Sequence, residues 1–111
     1  MRADTKDKTY IPVAKVGEVE PGDVKPVQAA GKALALYNVD GTYYATDEIC
    51  THAYASLADG FVTGDVIECP LHGATFSIKT GAVLSDPASE PLTTYPVRVE
   101  GEDILVGVPK S

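Results

Sequence analysis

The sequence reads CTH at 50–52 and, after 16 further residues, CPLH at 69–72, and these two segments decide how the whole chain is interpreted. They contain both cysteines and both histidines of the 111 residues. In an extended loop, residues i and i+2 point to the same side, so Cys50 and His52 can address one centre. A tight turn, which Pro70 favours, brings Cys69 and His72 together in the same way. The sequence therefore predicts one site built from two mixed cysteine–histidine pairs.

Two thiolates and two imidazoles predict a metal centre but leave the metal open. A single zinc ion accepts this donor set in a tetrahedron and would be structural. A two-iron, two-sulfide cluster accepts two thiolates on one iron and two imidazoles on the other. The spacing favours the cluster, because zinc sites usually pair cysteine with cysteine and histidine with histidine. A disulfide is the weakest interpretation, since residues 1–8 lack the apolar core of a secretory signal.

Length and charge narrow the function classes. A chain of 111 residues with a net charge of −7 fits one domain, and its acidity argues against nucleic acid or an anionic membrane as a partner. No apolar run approaches the roughly 20 residues that span a bilayer, so a soluble cytoplasmic protein is expected. The acidity either keeps the protein soluble or steers it towards a basic patch on a protein partner. Seven acidic residues lie in or beside the ligand stretch: Asp47, Glu48, Asp59, Asp65, Glu68, Asp86 and Glu90.

The remaining sequence predicts an all-β fold, because short strands and turn residues alternate and no segment has sustained helical periodicity. Asp40-Gly41 between two apolar segments indicates a hairpin, and Pro12 indicates an edge strand. Phe61 and Phe76 are expected in the core near the ligands. Strands are predicted at 10–14, 24–30, 33–38, 42–46, 75–78, 82–84, 95–99 and 104–108, with two short strands within 61–68.

The segments CTH at 50–52 and CPLHG at 69–73 resemble the signature of Rieske iron–sulfur proteins, especially the small Rieske-type ferredoxins of bacterial aromatic-ring dioxygenases. The resemblance covers nearly the whole chain and extends to DGF at 59–61, GDVIEC at 64–69 and SDP at 85–87. It implies an antiparallel Rieske-type β sandwich or barrel, as a single domain over 1–111 with a smaller cluster-binding subdomain at about 46–88.

The resemblance also implies the cofactor and its ligands. One Rieske-type [2Fe-2S] cluster would be bound per chain, with Cys50 and Cys69 on the inner iron and His52 and His72 on the outer iron. Backbone N–H groups around 53–54 and 73–74 would donate hydrogen bonds to the sulfurs.

A low reduction potential is predicted from what the sequence lacks. Respiratory members of the family clamp the ligand loops with a disulfide, and the corresponding positions here are Ala55 and Leu71. Their two hydroxyl donors to cluster sulfurs correspond to Ala74 and Phe76. Hydroxyl donors stabilise the reduced state, so we expect a potential near the bottom of the Rieske range, which begins at about −150 mV.

The implied function is one-electron transfer, not catalysis. The chain would pass electrons from an NAD(P)H-dependent flavoprotein reductase to a terminal Rieske oxygenase acting on aromatic compounds, as a monomer. It has no Gly-rich dinucleotide fingerprint, and an oxygenase iron site would need further histidines, whereas both are already used. Two alternatives stay open: the small Rieske-like subunit of a larger reductase such as nitrite reductase, and a zinc-stabilised interaction module.

Overall fold

Antiparallel strands are the main secondary structure of the described residues. The computed structural model describes residues 8–51, 55–71, 73–85 and 90–109. These ranges contain one short 3₁₀ helix, Leu57–Asp59, and ten strands. The strands are β1 Lys8–Lys15, β2 Val24–Ala29, β3 Lys32–Val39, β4 Thr42–Asp47, β5 Phe61–Thr63, β6 Val66–Glu68, β7 Thr75–Ser77, β8 Thr94–Tyr95, β9 Val97–Glu100 and β10 Asp103–Pro109. The predicted all-β fold is confirmed.

The sheet β2-β3-β4-β8 lies between the other two sheets, and the three form a double sandwich. The strand orders are β1-β10-β9, β2-β3-β4-β8 and β5-β6-β7. In β3 the six residues 34–39 are all buried, as expected for a strand covered on both faces. Leu34 and Leu36 pack against the β10 side chains, including Val106. Tyr37 faces the other way and packs in one apolar cluster with both cysteines and with Phe76 of the small sheet.

Two tight turns hold the central sheet in register. Asp40 and Gly41 have positive φ values of 52° and 91°, the conformation of the two-residue turns that suit a hairpin. That predicted hairpin is confirmed. The β2–β3 turn has the same form at Ala30 and Gly31 (φ 53° and 80°), so the prediction that the strand continues through Ala30 is wrong. Asn38 braces the Asp40-Gly41 hairpin, because its side-chain amide donates to Val19 O and accepts from Gly41 N–H.

Of two predictions for the outer strands, the edge position of Pro12 is right and the strand at 82–84 is wrong. Pro12 lies in β1 at an edge of its sheet, as predicted, and this is compatible with its missing N–H. The predicted strand at 82–84 is wrong, since Val83 forms only an isolated bridge with Phe76. The chain follows β7 for too few residues to form a ladder.

No helix in the described ranges is long and apolar enough to cross a membrane.

The small sheet has one buried and one exposed face. Val62, Ile67 and Phe76 lie side by side and pack in the apolar cluster that faces the central sheet. Phe61 pairs with Glu68 on the opposite face and is 61% exposed. The expectation that Phe61 lies in the core is therefore wrong, because strand alternation turns it outward, whereas Phe76 is fully buried as predicted.

Candidate metal centre

The two cysteines meet beneath the small sheet. Cys50 follows the end of β4 and Cys69 directly follows β6, and their exposures are 4% and 1%. They are not joined by a disulfide. Their side chains are nevertheless in hydrogen-bonding contact, and burial raises the pKa of the Cys69 thiol above its ordinary value. Two buried sulfurs in contact are placed to bind the same metal ion.

Both ligand loops close in the same way. The backbone N–H of Cys50 donates to Ala55 O at 3.0 Å, and the N–H of Cys69 donates to Ala74 O at 2.8 Å. In each loop the acceptor is thus five residues after the cysteine. The second loop adds a hydrogen bond from the backbone N–H of Leu71 to the Cys69 sulfur, which lowers the thiol pKa and so opposes the effect of burial. Two loops of equal size therefore present their cysteines to one point.

The first loop is fixed at its base by the Glu48 and Ser56 side chains. The Ser56 hydroxyl donates to the Glu48 carboxylate at 2.5 Å and accepts the Ala58 N–H at 3.1 Å. Ser56 is thereby the N-cap of the 3₁₀ helix, a role that suits a serine hydroxyl. The backbone closes the same base, because Leu57 N–H donates to Glu48 O at 2.7 Å. These bonds hold the start and end of the loop together.

The inner wall of the site is apolar. Leu57, Ile67, Ala74 and Phe76 are all fully buried and share one cluster with both cysteines. Ala74 and Phe76 occupy the positions predicted to lack hydroxyl donors, and neither side chain carries a hydroxyl. A dry wall of this kind raises the cost of adding charge to a bound group, and it agrees with the predicted low potential, which stays a prediction.

A buried hydroxyl pair lies on the central sheet behind this wall. Tyr37 and Thr46 are both fully buried, and their hydroxyls are 2.8 Å apart. Thr46 donates to the carbonyl of Asp47, so the Tyr37 hydroxyl is the donor within the pair. Burial raises the pKa of Tyr37 above its ordinary value. In the described structure, the Tyr37 hydroxyl is therefore bonded to β4, the strand that precedes Cys50.

Half of the predicted site lies within the described structure. Cys50 and Cys69 are brought together as predicted, whereas His52 and His72 lie outside the described residues. So do positions 53–54 and Asp86 and Pro87. The Leu71 N–H was not predicted as a donor, although the turn residues of CPLH were the signal that could have revealed it. The hydroxyls of Thr51 and Thr75, which contact the chain after β7, were also missed.

Comparison with known proteins decides which centre this geometry serves. A model of the Rieske [2Fe-2S] domain matches residues 9–96. The chain belongs to the Rieske [2Fe-2S] family. Over 97 residues it is 44% identical to the ferredoxin component of the naphthalene 1,2-dioxygenase system of Pseudomonas aeruginosa, covering 87% of this chain and 93% of that one. These matches confirm the predicted Rieske-type ferredoxin and do not support the alternative of a zinc-stabilised interaction module.

Solved structures of Rieske ferredoxins share the fold. The ferredoxin of Sphingomonas yanoikuyae B1 matches with a TM-score of 0.86 and 41% identity, covering 91% of this chain and all of that one. A chain of the complex of reduced oxygenase and oxidized ferredoxin in carbazole 1,9a-dioxygenase matches with a TM-score of 0.85 and 38% identity, covering 92% of this chain and 95% of that one.

The residues present fit the family's cofactor, a Rieske-type [2Fe-2S] cluster. Such a cluster needs two thiolates on one iron, and the contact between Cys50 and Cys69 supplies two sulfurs at one point. When bound, the cluster accepts and releases one electron. The relatives are ferredoxin components of dioxygenase systems, which confirms the prediction that this Rieske chain is an electron-transfer component. The buried apolar residues in the same cluster shield the two cysteines from solvent, and the backbone hydrogen bonds close the two loops.

Proposed function

We propose that this protein carries single electrons from an NAD(P)H-dependent flavoprotein reductase to a terminal Rieske oxygenase that acts on aromatic compounds. The observation that carries the proposal is the mutual contact of the Cys50 and Cys69 side chains in two matched loops. The names of the relatives, which are ferredoxin components of aromatic dioxygenase systems, support the class of acceptor. The reductase is inferred from the need for an electron donor.

We also propose the full ligand set. Cys50 and Cys69 would bind the inner iron, and His52 and His72 would bind the outer iron. The two histidines are the only candidates of their kind in the sequence, and each lies two or three positions after its cysteine. The same loops would form the cluster-binding subdomain, at about 46–88, of a single domain over 1–111. A cytoplasmic location and a monomeric state complete the proposal, and size-exclusion chromatography of the loaded protein tests the last.

The exposed surface beside the site supports a protein partner. Leu71 and Leu84 are 44% and 53% exposed, and the acidic residues Glu68 and Glu90 are exposed as well. Exposed apolar side chains on an acidic protein suit a transient partner with a basic surface, because charge steers the encounter and apolar contact completes it. The same acidity predicts that electron transfer slows as salt is added.

Electron paramagnetic resonance before and after dithionite is the deciding experiment. We expect a coloured oxidised protein that gains a rhombic signal with average g below the free-electron value, which identifies a histidine-ligated cluster. A potential near the lower end of the Rieske range, about −150 mV, is expected in a redox titration. A colourless protein without a signal after anaerobic iron–sulfide reconstitution would overturn the proposal.

Transfer to partners needs a second experiment. A naphthalene 1,2-dioxygenase system, supplied with its reductase and oxygenase but not its ferredoxin, should regain product formation when the loaded protein is added. A protein with the rhombic signal that co-purifies with one large reductase and reduces no oxygenase would favour the alternative of a reductase subunit.

A further inference from the structure

Glu48 is a half-buried carboxylate two positions before the first cysteine of the site. The chain is extended here, because Ile49 forms an antiparallel bridge with Ser56. Side chains alternate along an extended segment, so Glu48 and Cys50 lie on one side and Ile49 on the other. The exposures agree, since Ile49 is exposed, Cys50 is buried and Glu48 is intermediate. The carboxylate therefore lies on the side of the chain that carries the Cys50 sulfur.

The partners of this carboxylate are uncharged in the described structure. It accepts the Ser56 hydroxyl at 2.5 Å, and the same hydroxyl accepts the Ala58 N–H at 3.1 Å. The ion pairs within the described ranges join other residues, and none of them includes Glu48. Carboxylates are ionised at neutral pH. A negative charge with no neighbouring cation among the described residues is therefore held at the base of the first ligand loop.

A fixed negative charge in this place acts on an electron added to the cluster. Cα atoms two positions apart are separated by at most about 7 Å, which is less than the roughly 10 Å over which salt screens charges in solution. Partial burial weakens that screening further. Reduction makes the cluster more negative, so a nearby carboxylate raises the free energy of the reduced form more than that of the oxidised form. The expected result is a lower reduction potential, since local charge is one of its determinants.

Asp47 is a matched carboxylate on the opposite side of the same chain. It also accepts one hydroxyl at 2.5 Å, that of Tyr95, and its burial is intermediate like that of Glu48. Asp47 pairs with Leu34 in the β3–β4 ladder. Leu34 and Tyr95 both pack in the apolar cluster that faces β10, whereas the cysteines belong to the other cluster. Two adjacent carboxylates with similar surroundings thus differ in the side of the sheet on which they lie.

We propose that the Glu48 carboxylate lowers the reduction potential of the cluster through its charge, and that Ser56 holds this charge in place. Glu48 acts through its electric field without touching the cluster, and Ser56 is a positioning residue because it acts through Glu48. The effect adds to the lack of hydroxyl donors at Ala74 and Phe76 and makes the reduced cluster a stronger electron donor. The inference rests on the proposed cluster. If the potential of the variants below is unchanged, this inference fails while the rhombic signal and the proposed electron transfer stand.

The test is a redox titration of the cluster-loaded protein at neutral pH and constant salt, followed by its visible absorption. E48Q removes the charge and keeps an oxygen that accepts the Ser56 hydroxyl. We expect the ratio of reduced to oxidised protein at a fixed potential to rise about threefold, as for one unit charge removed from a partly solvated site. At 59 mV per tenfold change for one electron, this is a potential about 28 mV higher.

Two further variants separate the charge of Glu48 from its position and from the shape of the loop. D47N removes an equal charge from the opposite side and should change the ratio less than about 1.5-fold. S56A keeps both charges and should not raise the potential. The reduced E48Q protein should keep the resonance g values of the original protein, because its ligands are the same.

Three results would overturn the proposal: an unchanged potential in E48Q, equal shifts in E48Q and D47N, or a rise in S56A as large as that in E48Q. The last would assign the shift to the geometry of the loop. If E48Q does not take up a cluster, E48A is compared with D47A in the same titration. Failure of both Glu48 variants to load, beside normal loading of D47N, would also contradict the proposal, because Glu48 would then be required for the loop itself.

Discussion

The scaffold and the ligand region of this protein are stabilised by different means. The scaffold consists of the sheets β1-β10-β9 and β2-β3-β4-β8, with strands of up to eight residues. The ligand region is the described chain from Glu48 to Ser85, and its strands have three residues each. Long strands bury continuous apolar rows, whereas three-residue strands cannot. The ligand region depends instead on loop hydrogen bonds, on packing against the central sheet and on its metal.

The difference predicts that the scaffold is stable by itself, whereas the ligand region gains stability when a metal centre is bound. Local stability varies across a native structure, and it is lowest where buried apolar contacts are few. Metal binding stabilises the folded state relative to the unfolded chain. Here that stabilisation would act on the ligand region, whose strands have only three residues each. Changes in the two regions should therefore separate the stability of the fold from the retention of the cluster.

Loss of a ligand should have the largest effect and should be confined to one region. Cys69→Ala removes one of the two sulfurs, so we expect no visible absorption and no resonance signal after reconstitution. Hydrogen exchange should show amides of β3 and β10 as protected as before, while β5, β6 and β7 lose protection. Equal loss of protection in both regions would contradict the separation.

A cavity in each core should separate the two regions by their readouts. Leu36 and Ile67 are both fully buried, Leu36 in the scaffold and Ile67 in the ligand region. Either residue changed to Ala should lower the free energy of unfolding by about 2–5 kcal/mol. Ile67→Ala should also speed release of the cluster more than Leu36→Ala does. Val99→Ala, at a site that is 47% exposed, is the control and should change stability by less than about 0.5 kcal/mol.

Gly81 of the ligand region contacts Leu92, which lies just before the scaffold strand β8. Gly81 has φ +80°, and a Cβ there would collide with the carbonyl oxygen of Leu92, whose N–H donates to Gly81 O. Gly81→Ala should therefore cost more than the roughly 1–2 kcal/mol of a left-handed backbone alone. Gly101 has φ +62° with open space around it, so Gly101→Ala measures that backbone cost. Equal urea midpoints for the two variants would show that the contact is unimportant.

The smallest effect concerns alkaline pH and the boundary between the regions. Burial raises the pKa of Tyr37 above its ordinary 10.0, so the folded protein keeps the proton that the unfolded chain loses. Its contribution to stability is complete below pH 10 and falls by about 1.4 kcal/mol per pH unit above it. Tyr37→Phe should reduce the slope of the urea midpoint between pH 10 and 11. The same slope in both proteins would show that another group is responsible.

Local patterns predicted the elements well where one residue type controls the backbone. Asp40-Gly41 indicated its hairpin because both residues accept positive φ, and Pro12 indicated an edge because it cannot donate. The predictions failed for Phe61, for 82–84 and for the end of the second strand at Ala30. In each case the neighbouring chain decided the outcome. Phe61 lies on the exposed face of a short strand, and residues 82–84 pair with β7 through a single bridge. Ala30 takes a positive φ in a tight turn. Apolar composition could not indicate these.

The sequence by itself determined which donor side chains are available, because the two cysteines, the two histidines and their spacing are fixed by covalent connectivity. The tertiary structure alone decided that Cys50 and Cys69 touch, that Leu71 N–H points at a sulfur, and that Thr51 reaches Glu90. Those contacts join residues whose separation along the chain ranges from two to 39 positions. Donor types can be read from residues one at a time, but their meeting point depends on how three sheets pack.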